Sequence, residues 1–507
     1  MSARTLFVGL DAVDPFLLQR WSREGYVPSF ASFSRDAAAF KLANPIRTLS
    51  GGVWQELSGG RSCGHTGIFF PDRQLHTGET APRRVEAADV DPRTYWTAAS
   101  EAGKRVAVID LPHTVPPHEL NGVFVCEWGT HDRVFGQKSV PAELLGELRD
   151  RHGDYPLWSR PWPRRTTAVC DSHDGTREQY EQLLDDLLAG IEQKCALLLD
   201  VLGREEWDLF ACAFSEGQCS GHQLWHFLDG ATPGDRDRLA DGIRSVYESL
   251  DSALGALISA SGPEATVFVV ASHAFVHLTG GRQLIPEVLV RLGYGSGSGV
   301  SARARSKAPP IVRSLARRVL PRGTRQRLQT RAGSLSHPLD SPLTKAIALD
   351  GDRCSWIRLN LEGREPHGAV EPGAEAQALL EDIRAELLLL EHVETGEPIV
   401  SQILSAEEAF GESHHPDVPD LMVDFRTDLG VLDACRSNRV GLVHVPLEPT
   451  ARRTGAHPPA PSHLWVAGPG VPVPAPSGDG DAIDLAATIL SQLDVPRPDW
   501  LEGKPLV

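Results

Sequence analysis

The sequence has no apolar run approaching the roughly 18 residues that a membrane-spanning helix needs. Its N-terminus enters a strand-like apolar segment at once, without the basic, apolar and cleavage regions of a secretory signal. We therefore expect a cytoplasmic protein without a transmembrane segment. The eight cysteines are scattered and form no CxxC pair, so neither a zinc knuckle nor a disulfide framework is indicated.

Several functional signatures are also missing. The chain has no GxxxxGK[ST] or GxGxxG phosphate loop, which argues against a nucleotide-cofactor enzyme. The residues around Ser50 do not match G-x-S-x-G, which weakens an esterase interpretation. The formal net charge is −17, so we expect no nucleic-acid-binding surface.

The residues that are present favour a large α/β fold. The chain has 507 residues, of which 41% are hydrophobic, enough to bury a sizeable core. Apolar runs alternate with helix-like segments, which predicts a mostly parallel sheet with helices on both faces. The strand candidates are Leu6–Leu10, Val106–Ile109, Val123–Cys126, Leu209–Ala213 and Thr266–Ala271, and the helix candidates include Tyr180–Leu202, Asp235–Ser259 and Ala374–Leu390.

Two segments interrupt this alternation within what we expect to be a single domain spanning residues 1–507. Residues 135–180 are rich in proline, tryptophan and charge, and we expect them to form a cap insertion. Residues 293–342 form a basic inserted segment with ten Lys or Arg and no acid between positions 303 and 331. A solvated insertion, a lip for an anionic substrate and a contact with acidic lipid are all open interpretations of this segment.

Two further features indicate a candidate catalytic site. The strand-like run that begins at Thr5 ends in a carboxylate, Asp11, and such strand ends are where open α/β sheets bind ligands. A glycine-rich turn follows, in which the hydroxyls of Thr48 and Ser50 precede Trp54. A hydroxyl that returns near a strand-end carboxylate is a candidate for a metal-assisted nucleophile, and an ordinary serine–glycine turn is the simpler alternative.

An ordered set of motifs resembles the alkaline phosphatase superfamily, and most closely its type I phosphodiesterase/nucleotide pyrophosphatase branch. The resemblance covers nearly the whole chain, in the family's order. The matching segments are Gly9–Asp11, Ser50–Trp54, Gly64–Phe69, Gly103–Ile109, Glu127–Asp132, Phe214–His226, Gly363–Pro366, Pro419–Leu421 and Arg453–His457. The resemblance implies an alkaline phosphatase-like α/β/α sandwich with a mostly parallel central sheet and insertions.

The resemblance also implies a set of site residues. Ser50 would be the nucleophile, because it stands four residues before Trp54 as the family's nucleophile does, and Thr48 is the fallback. Two adjacent divalent ions, zinc or alternatively manganese, would assist the reaction. Asp11 and His273 would belong to the first metal site and His222 and His457 to the second, while His131 and Asp132 would line the substrate pocket.

The sequence departs from the family at two metal-ligand positions. Ser272 stands where the family has an aspartate before its histidine, and Gln218 stands where it has an aspartate or a histidine. Two divalent ions would then repel each other with little compensating negative charge. Gln218 could bind a metal weakly through its carbonyl oxygen, and Glu216 is a candidate for the replacement charge. One or two ions, with reduced occupancy, therefore remain open.

The resemblance implies a metal-dependent hydrolase or transferase that acts on a small-molecule phosphate ester, most directly as a phosphodiesterase. Sulfate and phosphonate esters are possible substrates with the same geometry. The alternatives are a weakened or inactive relative that binds a phosphorylated ligand, and a mononuclear or metal-free group-transfer enzyme in a biosynthetic pathway. The two lost aspartates motivate both alternatives.

Overall fold

The computed structural model describes residues 3–43, 50–70, 74–160, 175–228, 237–295, 338–351, 353–447, 454–472 and 475–507. The strands are β1 Ala3–Leu10, β2 Ala38–Ala43, β3 Val106–Ile109, β4 Gly122–Cys126, β5 Lys138–Val140, β6 Trp207–Phe214, β7 Thr266–Ala271, β8 Val276–His277, β9 Ala346–Asp350, β10 Ser355–Leu359, β11 Glu391–His392, β12 Val400–Ser405, β13 Leu421–Phe425, β14 Ala434–Ser437, β15 Gly441–His444, β16 Gly455–Ala456, β17 Ser462–Ala467 and β18 Ser477–Asp481. The helices are α1 Pro15–Glu24, α2 Pro28–Ser34, α3 Ser50–Gly59, α4 Cys63–Thr66, α5 Tyr95–Glu101, α6 Leu144–His152, α7 Pro156–Ser159, α8 Arg177–Leu202, α9 Glu216–Leu228, α10 Gly242–Ser261, α11 Ile285–Arg291, α12 Ala374–Leu388, α13 Ala406–Phe410 and α14 Asp484–Gln492.

The central sheet has nine strands in the order β18-β2-β17-β7-β1-β6-β3-β4-β5. The five strands from β7 to β4 run parallel, whereas β17 and β5 are antiparallel to their neighbours. All five strand candidates from the sequence lie within this parallel block. The expected mostly parallel central sheet is therefore confirmed.

Alternating side chains of the parallel strands enter two separate cores. In β1, Leu6, Val8 and Leu10 pack towards helices α8, α9 and α10. Phe7, between them, packs on the opposite face with residues of α3, α5 and α14. Because side chains alternate across a strand, both faces of the sheet are buried, and the molecule has the expected α/β/α layering.

A smaller antiparallel sheet, in the order β12-β13-β10-β9, stands beside the main one. It shares its own hydrophobic core with α11 and α12. A further two-stranded pairing joins Val276–His277 to Gly455–Ala456, so the chain just before His457 lies next to the chain that follows His273. This pairing brings together histidines that are far apart in the sequence.

The helix boundaries differ in part from expectation. The helix expected from Tyr180 begins at Arg177, because Thr176 and Gln179 form a capping box that fixes its first turn. The helix expected to begin at Asp235 is seen from Gly242, and residues 229–236 lie outside the described part. The helix expected from Ala374 begins there and ends at Leu388.

The two expected insertions are only partly described. Residues 135–160 contain β5, α6 and α7, and Leu148 and Tyr155 from this segment are buried in the main core. Residues 161–174 and 296–337 lie outside the described residues, so the cap and the basic inserted segment stay predictions. Among the described helices, none combines the length and apolarity needed to cross a membrane.

Candidate active site

The candidate site lies at the carboxyl ends of the parallel strands. Asp11 directly follows β1, and His273 stands two residues after β7. Gln218 and His222 lie on α9, which follows β6, and His457 follows β16. All five side chains are buried, with exposed fractions between 1 and 5%. The fold therefore collects these expected site residues at one edge of the sheet.

The close packing around α9 depends on two glycines. A Cβ at Gly217 would lie 2.7 Å from the backbone oxygen of Asp11. A Cβ at Gly221 would overlap the ring of Phe275. That ring packs against His222 and His457, with ring centroids 5.1 and 4.5 Å away. The glycines let α9 approach the ends of β1 and β7 closely enough to bring its polar side chains to the site.

His222 and His457 are held in the same way. His222 Nδ1 lies 2.8 Å from the carbonyl oxygen of Gly455, and His457 Nδ1 lies 3.0 Å from that of Ala274. A carbonyl oxygen only accepts hydrogen bonds, so each Nδ1 carries a hydrogen, and the neutral form of either ring has its lone pair on Nε2. This is the usual arrangement of a histidine that binds a metal. Gln218 Oε1 is 3.0 Å from His457 Nε2.

Asp11 and His273 are connected by the hydroxyl of Ser272. Ser272 Oγ donates to Asp11 Oδ1 over 3.3 Å and lies 2.9 Å from His273 Nδ1. The same oxygen accepts from the backbone N–H of Ala12 over 2.9 Å. The indole of Trp54 also donates to Asp11 Oδ1, over 2.7 Å. Burial raises the pKa of Asp11, although His131 and the Trp54 contact act in the opposite direction.

His131 and Asp132 also lie near Asp11. His131 Nδ1 is 3.7 Å from Asp11 Oδ2 and 3.6 Å from Asp132 Oδ1. His113, which sequence reasoning did not identify, has its Nε2 3.6 Å from Asp132 Oδ2. Burial raises the pKa of Asp132, and the His113 imidazole opposes this shift. A signal for His113 was present, because it follows the apolar strand Val106–Ile109 by four residues.

The backbone at this edge is strained. Ala12, Asp110, His113 and Glu127 all have positive φ, from 49° to 57°, although none is glycine. Of the described non-glycine residues, one other, Asp494, also has positive φ. Left-handed residues of this kind cost about 1–2 kcal/mol each and often cluster at functional sites. The clustering at the ends of β1, β3 and β4 supports the location of the site.

Glu216 faces a different environment from Gln218. Its Oε1 accepts from the hydroxyl of Tyr155 over 2.9 Å, and burial raises the pKa of the carboxyl, opposed by the nearby Lys194. Residues two apart are separated by about 200° around a helix axis, so Glu216 and Gln218 point in nearly opposite directions. A role for Glu216 as the replacement metal ligand stays a prediction.

The nucleophile assignment also stays a prediction. Ser50 is the first residue of α3, but its side chain and the whole of Thr48 lie outside the described residues. Trp54 lies on the same helix. It is buried and also donates to Asp11, which fixes α3 beside that carboxylate.

The two metal-ligand sets differ in how well they fit an ion. Across the described residues, no group of three or more His, Cys, Asp or Glu side chains could hold a metal ion. The set of Gln218, His222 and His457 combines an amide oxygen with two imidazoles whose Nδ1 atoms are bonded to backbone carbonyls, which gives three candidate donors. Asp11 and His273 give two donors, because the Ser272 oxygen is used in hydrogen bonds. The residues present therefore fit one divalent ion better than two.

Comparisons with known proteins identify the fold. No protein-family model matches the chain, and no curated protein sequence matches it. Phosphonoacetate hydrolase from Sinorhizobium meliloti 1021, solved with phosphonoacetate, is similar in structure with a TM-score of 0.51 and 14% identity, over 97% of this chain and 96% of that one. Murine ectonucleotide pyrophosphatase/phosphodiesterase 5 has a TM-score of 0.49 and 11% identity, over 98% and 96%. The similarity to phosphonoacetate hydrolase confirms the expected alkaline phosphatase-like fold.

Proposed function

We propose that the protein hydrolyses or transfers phosphate esters, with phosphodiesters as the main class and Ser50 as the nucleophile. The observation that carries this proposal is the convergence of Asp11, His222, His273 and His457 at one buried edge of the sheet. The ring centroids of His222 and His457 are 4.7 Å apart, and so are those of His273 and His457. The fold supports the proposal, because open α/β sheets bind ligands at this edge.

The proposed reaction has two steps at phosphorus. Ser50 Oγ attacks in line, forms an O–P bond as the bond to the leaving alcohol breaks, and the departing oxygen takes up the proton. Water then cleaves the serine phosphate and restores the hydroxyl. A divalent ion, zinc with manganese as the alternative, held by Gln218, His222 and His457 would supply positive charge to the phosphate oxygens.

The protein's own residues keep the site dry and ordered. His222 and His457 are fixed by hydrogen bonds to backbone carbonyls. Asp11 is fixed by Trp54 and Ser272. Burial of these groups keeps bulk water out, which strengthens every charge interaction with an anionic substrate. We assign pocket-lining roles to His131 and Asp132, because both lie beside Asp11 at the same edge.

A second candidate function is the binding of a phosphorylated ligand without turnover. The hydrogen-bonded link between Asp11, Ser272 and His273 favours it, because this link replaces a charged ligand of the expected first ion. A metal-free group transfer that uses Ser50 in a biosynthetic pathway is a related alternative. Ligand binding and group transfer would both use the same edge of the sheet to bind phosphate. A bond to phosphorus breaks only in group transfer.

Turnover of chromogenic esters tests the proposal. The purified protein, loaded with zinc or manganese, is assayed on bis(4-nitrophenyl) phosphate, on 4-nitrophenyl phosphate and sulfate, and on a phosphonate monoester. We expect the diester to be the best substrate. Ser50→Ala should lower kcat by about a thousandfold or more, and Thr48→Ala by less than about tenfold.

Two outcomes would contradict this account. A larger loss in Thr48→Ala than in Ser50→Ala would overturn the nucleophile assignment. Failure to turn over any of these esters, in a protein that still binds inorganic phosphate in calorimetry, would favour the ligand-binding candidate.

A further inference from the structure

We infer that His113 is a catalytic residue that gives a proton to the leaving oxygen of the ester, and that Asp132 positions its imidazole for this transfer. The inference rests on the proposed function, because it concerns the first step of the same reaction. The departing oxygen gains negative charge as its bond to phosphorus breaks, and a proton donor at that oxygen lowers the barrier. Neither residue belongs to the metal-ligand sets expected from the sequence.

The backbone holds His113 at the edge of the sheet where the site lies. His113 follows β3 by four residues and has a positive φ of 56°. Its carbonyl oxygen accepts a hydrogen bond from the side-chain amide of Gln55 on α3, the helix that begins at Ser50. A strained backbone of this kind persists where the surrounding structure fixes it. The Gln55 contact provides such a restraint and connects His113 to the helix of the proposed nucleophile.

The imidazole of His113 is buried, yet it forms no hydrogen bond to the residues that the structure describes. The residue is 6% exposed, and its Nδ1 is a buried atom without a hydrogen-bond partner. Its Nε2 lies 3.6 Å from Asp132 Oδ2, beyond the usual N–H···O range of roughly 2.7–3.2 Å. Buried polar groups are nearly always hydrogen-bonded, so an imidazole without such a bond indicates a functional role.

The distance between His113 and Asp132 allows both side chains to contact one oxygen atom. Two atoms that each hydrogen-bond to the same oxygen over about 2.8 Å, at an angle of about 80°, stand about 3.6 Å apart. The Nε2 and Oδ2 atoms have this separation. In the proposed complex, the leaving oxygen accepts from Nε2, and the alcohol that forms donates to Oδ2 of Asp132. The carboxylate thus fixes the orientation of the imidazole and receives the product hydroxyl.

His113 also lies close to the other residues of the candidate site. Its ring centroid is 6.4 Å from that of His131, whose Nδ1 is 3.7 Å from Asp11 Oδ2. Burial raises the pKa values of Asp11, Glu127 and Asp132, and the charge of His113 opposes this rise at all three. His113 is therefore a shared neighbour of three buried carboxyl groups, and each one that is ionised attracts a proton on its imidazole.

The proton transfer fits the proposed reaction in two steps. In the first, Ser50 Oγ bonds to phosphorus, and the bond to the leaving oxygen breaks with its electron pair. The proton on His113 Nε2 moves to that oxygen, and the Ser50 hydroxyl releases its own proton to solvent. In the second, water attacks phosphorus and gives a proton to His113, while Ser50 takes up a proton from solvent as its bond to phosphorus breaks. Both residues thus return to their starting states.

Turnover of two diesters by the metal-loaded, full-length protein tests the inference, because a proton donor matters most for a poor leaving group. Phenol is a poorer leaving group than 4-nitrophenol. His113→Asn should lower kcat by about 100-fold or more on diphenyl phosphate and by less than about tenfold on bis(4-nitrophenyl) phosphate. Asparagine suits this position because it tolerates a positive φ better than most residues. The exposed His118→Asn is the control and should turn over both diesters like the wild type.

A second variant keeps the test decisive if circular dichroism shows that His113→Asn does not fold. Asp132→Asn removes the positioning carboxylate, and its loss of kcat should be at least about tenfold larger on diphenyl phosphate than on bis(4-nitrophenyl) phosphate. A structural role alone would lower turnover of the two diesters by the same factor. Equal losses on both diesters in a folded variant, or no loss in His113→Asn, would overturn the inference.

The same assay separates the inference from the proposed function. A wild type that turns over both diesters, with equal losses in the variants, would overturn the inference and leave the function standing. A metal-loaded wild type that turns over neither diester would overturn the proposed function, and the inference would fall with it.

Discussion

At the scale of single residues, the Trp54 indole connects helix α3 with the Asp11 carboxylate at the end of β1. It donates to Asp11 Oδ1 over 2.7 Å and packs against β1 at Gly9. A Cβ at Gly9 would lie 2.5 Å from Trp54 Cη2, closer than real contacts allow. The absence of a side chain at Gly9 therefore lets Trp54 reach the carboxylate, which links the strand sequence to the order of the site.

Gly9→Ala should destabilise the protein because the added methyl group displaces Trp54 from a packed core. Overpacking of this kind costs about 1–3 kcal/mol in the free energy of unfolding, measured by urea denaturation. Gly146→Ala, on α6, is the matched control, because its Cβ would meet nothing within 4 Å. The control should be neutral or stabilising by up to about 1 kcal/mol. Equal stability of Gly9→Ala and wild type would show that Trp54 is not held in this way.

Where a whole motif surrounds a residue, the sequence singles it out as a candidate site residue, and its role stays a prediction. Asp11, His222, His273 and His457 were identified from their motif frames, and the structure brings all four together. His113 was missed because it lies in no such motif. Its proximity to Asp132 depends on β3 and β4 being neighbours in the sheet, and strand order is not visible in a single sequence. The bridging role of Ser272 also depends on a contact, with Asp11, across 261 residues.

At the scale of elements, Lys194 joins α8 to three strand ends. Its side chain is fully buried, and Nζ lies 3.2 Å from Asp110 Oδ2, 2.9 Å from the Gly129 oxygen and 3.2 Å from the Ala213 oxygen. Burial alone would lower the pKa of Lys194, but the carboxylates of Glu216 and Asp110 raise it further than burial lowers it. The ammonium group therefore stays charged and fixes β3, β4 and β6 beneath the site.

Lys194→Met should destabilise the protein by about 3–5 kcal/mol, because it leaves the Asp110 carboxylate buried without its counter-ion. Urea denaturation measures this loss, and the double variant with Asp110→Asn should recover part of it. Lys345→Met is the control, because Lys345 pairs with Glu375 at a site where both side chains are 41% exposed. That pair should contribute no more than about 1 kcal/mol. Equal effects of the two lysine variants would refute the role of Lys194.

His463, on β17, makes the stability of the protein depend on pH. Burial, with a smaller contribution from Lys41, lowers the pKa of His463 from 6.5 to about 4. Its Nδ1 lies 3.2 Å from the side-chain nitrogen of Gln19 on α1. Between pH 4 and 6.5 the unfolded chain binds the proton more readily than the folded chain. The contribution of His463 to the stability of the folded protein is therefore complete above pH 6.5 and is lost as the pH falls towards 4.

His463→Gln should remove this part of the pH dependence, because glutamine has no group that titrates. Thermal melts of the wild type and the variant across this range measure the effect. The melting temperature of the wild type should fall more steeply on acidification than that of the variant. The exposed His118→Gln is the control and should follow the wild type. Parallel curves for wild type and His463→Gln would contradict the buried neutral state of His463.

At the scale of the whole molecule, the order of the motifs predicted the main sheet and its helical layers. Successive side chains of a short apolar strand, such as Leu6 and Phe7, face opposite sides of the sheet. A strand that is apolar on both sides therefore indicates, by its local sequence, a sheet covered on both faces. The smaller antiparallel sheet was not anticipated, because its strands pair across a long stretch of chain, as Ser355 does with Val423. The expected cap at 135–180 stays a prediction, because residues 161–174 lie outside the described part of the chain. Its described residues Leu148 and Tyr155 are buried in the main core.

The smaller sheet also reaches the site. Arg353, 2% exposed, donates to the carbonyl oxygens of Phe425 and His457 and pairs with Asp424. It therefore couples β13 to the backbone of a site histidine. The family resemblance could not supply this contact, because it depends on how two sheets meet.

Anomalous X-ray diffraction at the zinc absorption edge, on crystals of the zinc-loaded protein, tests the central claim most directly. This measurement locates each ion without reference to activity. We predict one peak within bonding distance of Nε2 of both His222 and His457 and of the Gln218 amide oxygen. Two peaks, with the second between Asp11 and His273, or a single peak away from His222, would contradict the account.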